Sequence, residues 1–206
     1  ELLRRYYTSQ GFADFQVKSA ITELTPDRQG FYLTFTLEEG DRYNFGKVDV
    51  NNRLAGVDTG QLRDAVTSKE NATFDASQVE SSIDAMTQVL GDQGYAFVDI
   101  RPNVNRNRET REIFVTFEIQ EGPRVYVERI DIRGNTRTLD KVIRRELEIY
   151  EGELFSGTGL RKSRANVERL GFFEARTVKI NYNPDKTRSD LVNVDVSVKE
   201  RQTGQL

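Results

Sequence analysis

The stretch DQGYAFVDI, residues 92–100, has the pattern of a helix that stops at a glycine and leads directly into a strand. Two similar stretches are SQGFADFQV at residues 9–17 and RLGFFEARTVKI at residues 169–180. In all three an aromatic residue follows the glycine, and successive glycines are 83 and 77 residues apart. Glycine commonly occupies the left-handed position that ends a helix. The chain is therefore predicted to contain one structural joint three times.

Apolar residues spaced three and four positions apart precede each glycine, which predicts a buried helix face. These residues are Leu2, Leu3, Tyr6 and Tyr7, then Val79, Ile83, Met86 and Leu90, and finally Leu160, Val167 and Leu170. After each glycine come a strand, a polar turn and a second strand whose alternate residues are apolar. The alternating residues are Phe31, Leu33, Phe35 and Leu37, then Ile113, Val115, Phe117 and Ile119, and finally Val192, Val194, Val196 and Val198. This period of two predicts one buried and one wet face.

A further strand and a short helix follow the first two copies of this pattern. FGKVDV at residues 45–50 leads to a helix segment at residues 62–66, and VERIDIRGN at residues 127–135 leads to one at residues 139–147. The order strand, helix, helix, strand, strand therefore repeats along the chain. The predicted turns between the paired strands are residues 26–30, 103–110 and 183–186.

The composition excludes several classes of function. Thirty basic and 33 acidic residues give a net charge of -3, so no overall positive field favours nucleic acid. The chain has no cysteine and no histidine, which removes thiol chemistry, zinc hydrolases and serine–histidine catalysis. The acidic pairs that remain, such as Glu146 with Glu148, are typical of a solvated surface. We therefore predict no enzyme, no cofactor and no metal site.

The repeat resembles the POTRA repeat, in which an aromatic residue follows the glycine after the second helix and a Gly-Asn pair follows the first strand. The last copy carries the closest resemblance, in VERIDIRGNTRTLDKVIRRELEIYEGELFS, VERLGFFEARTVKI and VNVDVSVKERQTGQL. These segments are similar to the final POTRA repeat of BamA-type outer-membrane β-barrel assembly factors. The middle copy has Asn51-Asn52-Arg53 where the family has Gly-Asn.

The resemblance implies an α+β fold of tandem repeats, each β-α-α-β-β with a three-stranded mixed sheet and two helices on one face. Residues 43–123 and 124–201 would be complete repeats similar to the fourth and fifth of a five-repeat array. Residues 1–42 would be the helix-strand-strand half of a third repeat. Residues 202–206 would be a linker toward a membrane β-barrel that lies outside this sequence.

The implied function is binding on the periplasmic face of the bacterial outer membrane. The chain would bind accessory lipoproteins and unfolded outer-membrane protein precursors, and would pass the precursors to the downstream barrel. In the family's sheet the last strand is central and the first strand of the hairpin lies at an edge, where it can pair with an added strand. Candidate edges are residues 12–22, 97–104 and 176–182, and the candidate residues are Val98, Ile100, Val178, Ile180 and Tyr182.

The second implied surface lies between the helices of the last repeat. In the family this region forms a salt-bridged contact with a BamD-like lipoprotein, and the matching positions here are Arg144 and Glu151. Tyr150, Leu154 and Phe155 are predicted to supply the apolar centre that an interface needs. Charged helix residues such as Arg144 are also what an ordinary solvated face contains.

Three alternatives remain open from the sequence. One is the POTRA region of a two-partner secretion transporter or of a TamA-type translocation factor. Another is a carboxylate-based hydrolase, which would need two acids facing each other across a cleft. A third is a spacer that holds a barrel away from its partners without binding substrate.

Overall fold

The computed structural model describes residues 1–201, so the predicted linker at residues 202–206 lies outside the described part of the chain. The helices are α1 Leu2–Ser9, α2 Thr59–Ala65, α3 Ala76–Asp92, α4 Asp140–Arg144 and α5 Gly157–Arg169. The strands are β1 Gln16–Leu24, β2 Phe31–Glu38, β3 Asn44–Asn52, β4 Ile100–Asn107, β5 Glu112–Ile119, β6 Tyr126–Arg133, β7 Lys179–Pro184 and β8 Leu191–Ser197.

The chain forms two compact units. The first contains residues 1–86 and 100–119, and the second contains residues 87–99 and 120–201 of the described chain. The end of α3 and the loop after it therefore belong to the second unit.

Each unit contains one three-stranded mixed sheet, as predicted. The strand orders are β3-β5-β4 in the first unit and β6-β8-β7 in the second. In each sheet the opening strand, β3 or β6, is parallel to the central strand, while β4 or β7 is antiparallel to it. The last strand of each repeat, β5 or β8, is central, and the first strand of the hairpin, β4 or β7, lies at an edge. This confirms the predicted topology. Strands β1 and β2 form a separate antiparallel pair in the first unit.

The alternating residues of the two central strands form the sheet side of each core, as predicted. The four apolar positions of β5 are 0% exposed, as are Val192, Val194 and Val196 of β8, and Val198 just after β8 is 7% exposed. Helix residues complete the two cores, among them Leu62, Met86, Leu90, Ile143 and Val167. Burial of these side chains contributes most of the favourable free energy of folding.

Strand β2 differs from the prediction, because its apolar face is not buried. Phe31, Leu33 and Phe35 are 69%, 64% and 47% exposed. The hairpin of β1 and β2 has no third strand in the described chain, and no residue of α1 is buried. Apolar and polar residues do alternate along β2, but the apolar face of a strand is buried only where another element covers it.

One predicted turn is also shorter than expected. The polar composition of residues 103–110 predicts a turn, but Asn103 to Asn107 continue β4 and pair with β5. The chain reverses only at residues 108–111, where Arg111 has a φ of 57°. The low strand propensity of asparagine is a weak preference. Hydrogen bonds from a neighbouring strand to the asparagine backbone override it here.

All three predicted helix stops are confirmed, since Gly11, Gly94 and Gly171 have φ values of 97°, 93° and 73°. The carbonyl of Gly94 accepts a hydrogen bond from the N–H of Val125 at 2.9 Å, next to the opening strand β6. The carbonyl of Gly11 accepts the equivalent bond from Tyr43 at 2.9 Å. The repeated stretch therefore both ends a helix and anchors the start of the next repeat.

Candidate polypeptide-binding surfaces

The outer edge of the opening strand β6 is occupied by the segment between α4 and α5. The N–H of Val127 donates to the carbonyl of Glu153 at 2.8 Å, and its carbonyl accepts from Gly152 at 2.7 Å. Beyond a bulge, the N–H of Ile130 donates to Oε1 of Glu151 at 2.9 Å. These bonds use the backbone groups that an added strand would need.

The opening strand β3 of the first unit is closed in the same way. Phe45 exchanges backbone hydrogen bonds with Ala72 and Asn71, each at 2.8 Å. The N–H of Val48 donates to Oε1 of Glu70 at 3.2 Å. A glutamate followed by a residue with positive φ, Glu70-Asn71 or Glu151-Gly152, thus covers the same edge in both units. Comparing the two repeats in the sequence could have revealed this shared position.

Arg144 and Glu151, the predicted lipoprotein-binding pair, lie together on this closed edge. Nη1 of Arg144 is 3.5 Å from Oε1 of Glu151, and Nη2 of Arg144 donates to the carbonyl of Ile130 at 3.0 Å. Arg144 also pairs with Asp140 at 3.3 Å. The side chains of Arg144 and Glu151 are 43% and 48% exposed, so both bind within the chain and still reach solvent.

The two aromatic residues predicted beside this pair have different environments. Tyr150 is 55% exposed and lies on the surface. Phe155 is only 2% exposed, and its ring centroid lies 4.8 Å from that of Tyr182 inside the second unit. The prediction of Phe155 at a partner surface is wrong, because its side chain packs in the hydrophobic core of the second unit. Leu154, at 38% exposure, is the more accessible apolar neighbour.

The free edge of the second sheet is β7, and its register identifies the backbone groups that point outward. In an antiparallel pair only alternate residues bond to the partner strand. Asp185 donates to Leu191 at 2.9 Å, so Asn183, Asn181 and Lys179 are the β7 residues that bond to β8. We call the other three, Ile180, Tyr182 and Pro184, the outward row of β7. Ile180 and Tyr182 keep their N–H groups, and Pro184 lies at the strand end.

The outward row of β4 is interrupted by a proline. Gln120 donates to the carbonyl of Asp99 at 3.1 Å, so the residues that face away from β5 are Ile100, Pro102, Val104 and Arg106. Pro102 has no N–H and removes one donor from the middle of this row. The β4 edge therefore offers a poorer template for an added strand than the β7 edge.

Two of the predicted edge residues lie outside the paired strands. Val98 precedes β4, whose register begins at Ile100, and Val178 precedes β7, whose register begins at Lys179. Val178 is only 1% exposed and belongs to the hydrophobic core of the second unit. Ile100, Ile180 and Tyr182 are the predicted residues that do lie on outward rows.

Glu200 fixes the turn that follows β6. Its carboxylate accepts hydrogen bonds from the Thr136 hydroxyl at 2.7 Å and from the N–H groups of Arg137 and Thr138 at 3.0 Å and 2.6 Å. The hydrogen bond from the Thr136 hydroxyl has the largest effect and the backbone N–H donors add to it, and together they lower the pKa of Glu200 to about 2. Glu200, in the segment Lys199-Glu200-Arg201, therefore holds this turn in place.

Residues 1–201 contain no group of His, Cys, Asp or Glu side chains arranged to hold a metal ion. Within the same described range, no helix is long and apolar enough to span a membrane.

The POTRA family model, described as a surface antigen variable number repeat, matches residues 43–122 and 125–201. The chain is 30% identical over 206 residues to the outer membrane protein assembly factor BamA of Neorickettsia risticii, covering 100% of this chain and 27% of the relative. It is 29% identical over 206 residues to BamA of Neisseria meningitidis, covering 100% of this chain and 26% of the relative. The chain thus spans only about a quarter of the length of these relatives.

The fold is also similar to a solved structure, the crystal structure of Haemophilus influenzae BamA POTRA3-5. The TM-score is 0.86 at 24% sequence identity, over 96% of this chain and 77% of that one. At this identity the match supports the fold of the chain.

Proposed function

This chain belongs to the POTRA family, and from that premise we propose that it is the polypeptide-binding part of an outer-membrane β-barrel assembly factor. Its whole-length similarity to BamA proteins supports this function over a secretion transporter or a TamA-type factor. In this proposal the chain works on the periplasmic face of the outer membrane and passes unfolded precursors to a membrane barrel downstream. It acts by binding, and we assign no catalytic residue.

The open β7 edge is the observation that carries the proposal. Ile180 and Tyr182 direct unpaired N–H and C=O groups outward, whereas the β3 and β6 edges are covered and β4 contains Pro102. Backbone groups recognise an extended chain of almost any sequence. This suits a receptor for precursors that share alternating strands and little else. An added strand would extend the second sheet from three strands to four.

A second surface would bind an accessory lipoprotein of the BamD type. It comprises Arg144, Glu151 and the exposed Tyr150 and Leu154, without the buried Phe155. The ion pair would present one fixed arrangement of opposite charges beside an aromatic anchor, which is a common composition for an interaction hot spot. Ile130 would hold this arrangement in place through its backbone bonds to both charged side chains.

The experiment that tests strand addition is an amide-resolved NMR titration of the isotopically labelled chain with an unfolded peptide of alternating apolar and polar residues. We expect the N–H signals of Ile180 and Tyr182 to shift and to become protected from hydrogen exchange. The N–H signals of Val127 and Ile130, which are already bonded, provide the internal control. Protection at β6 instead of β7, or at neither, would contradict the proposal.

A further inference from the structure

A groove of about 270 Å³ lies within the second unit beside the outward row of β7. Its floor is apolar and largely aromatic, formed by Tyr95, Ala96, Phe155, Leu160, Ile180 and Tyr182. The rings of Phe155 and Tyr182 are 4.8 Å apart and tilted by 53°. Aromatic rings favour such tilted contacts with a further ring. The groove therefore has the size and the lining to hold one large aromatic side chain.

The charged residues that line this groove are both positive. They are Arg161 and Arg164, three residues apart on α5, and the lining contains no acidic side chain. Arg161 donates to the Thr158 hydroxyl at 2.7 Å and lies 3.9 Å from Oδ2 of Asp92, and Arg164 pairs with Glu168 at 3.1 Å. The side chains of Arg161 and Arg164 are 54% and 51% exposed, so each also reaches solvent and can bind a further acceptor. A negative group on the occupant would complement this rim.

The position of the groove relates it to strand addition. Ile180 and Tyr182 belong both to the groove lining and to the outward row of β7. Successive side chains of a strand point to opposite faces of a sheet, so alternate residues of a strand added to β7 would face α5. We call these alternate residues the inner row of the added strand. They would pass directly over the groove and its two arginines.

We propose that this groove binds side chains of the inner row of the added strand. It would select a segment in which an aromatic residue and an acidic residue are two positions apart, in either order. This inference rests on the proposed strand addition at β7. The backbone ladder would recognise any extended chain, and the groove would select the register at which the aromatic side chain enters. A receptor with one such subsite would align different precursors in the same way.

Peptide binding to the full chain tests the proposal. Three ten-residue alternating peptides would be compared by fluorescence titration: one with Phe and Glu on the inner row, one with Phe replaced by Ala, and one with Glu replaced by Gln. We expect the Ala peptide to bind about tenfold or more weakly, because burial of one phenyl ring is lost. We expect the Gln peptide to bind several-fold more weakly at low salt and equally at high salt.

A protein variant in which a new side chain fills the groove provides a second test. Gln88 lines the groove from the exposed side of α3, so Gln88→Trp should abolish the preference for Phe over Ala while the chain stays folded. Ser81→Trp, at another exposed position of α3, is the control and should keep the preference. Equal binding of all peptides to the unaltered chain would overturn this inference and leave strand addition intact. Binding of none of them would overturn both.

Discussion

Oε1 of Glu151 accepts a hydrogen bond from the N–H of Ile130 at 2.9 Å, which closes the outer edge of β6. Glu70 makes the corresponding bond to Val48 at 3.2 Å in the other unit. A side chain thus prevents strand addition at the opening edge of each sheet, while the opposite edge of the second sheet stays open. Natural sheets often protect their edges with charged residues in this manner.

Glu151→Ala should destabilise the second unit by about 1–2 kcal/mol, because the N–H of Ile130 loses its acceptor and Arg144 loses one partner. Chemical denaturation would measure the change in the free energy of unfolding. Glu153→Ala, at a neighbouring exposed residue, is the control and should change stability by less than about 0.5 kcal/mol. Equal effects of the two substitutions would show that the bond to Ile130 contributes nothing.

Gly94→Ala should destabilise the second unit by about 1–3 kcal/mol. The φ of Gly94 is 93°, and an added Cβ would lie 2.6 Å from Cδ1 of Leu154. Gly122→Ala is the matched control, since no heavy atom lies within 4 Å of the position of its Cβ. Adding Leu154→Ala to Gly94→Ala should recover part of the loss if the contact, and not only the backbone conformation, matters. Thermal unfolding of these three variants and of the unaltered chain would separate the two causes.

The stability of the second unit should decrease between about pH 4.3 and pH 2 through Glu200. Its pKa is about 2 in the folded chain, below the value of an unfolded glutamate. The carboxylate therefore contributes its full stabilisation above the unfolded pKa, and this contribution is lost as the pH falls through the folded pKa. Denaturation of the unaltered chain and of Glu200→Gln across this range should show their difference in stability shrinking with acidity. A difference that is independent of pH would contradict the assignment.

Pro102→Val should open the β4 edge to strand addition. The substitution supplies the missing N–H in the outward row and introduces a residue that favours strands. New protection of the amides of residues 102 and 104 by an alternating peptide, measured by NMR, is the expected result. Thr116→Val, on the central strand β5, keeps Pro102 and should add no protection on β4. No gain from Pro102→Val would mean that another feature closes this edge.

The local features of this fold could be predicted from the sequence, because they depend on neighbouring residues. The glycines that end helices and the alternation of β5 and β8 are of this kind, and the structure confirms both. The exposed face of β2 could not be predicted, since alternation does not reveal whether anything covers a strand.

The binding surfaces were only partly predictable for a similar reason. The positions of Arg144 and Glu151 followed from the family resemblance, but their bonds to Ile130 depend on a bulge in β6 that the sequence does not reveal. Phe155 is close in sequence to Glu151, which predicts a place in the same surface, but its side chain lies in the core. The arginines at 161 and 164 carried no signal, because any solvated helix contains such residues.

Strand addition at β7 is the central claim, and binding of an alternating peptide to Tyr182→Pro tests it most directly. Proline removes one outward N–H without removing a bond to β8, since Tyr182 lies on the outward row. Tyr182→Val changes the side chain but keeps that N–H, so it is the matched control. The account predicts that Tyr182→Pro loses most of the binding that Tyr182→Val retains, while both variants stay folded by circular dichroism. Equal peptide affinity of these two variants would contradict it.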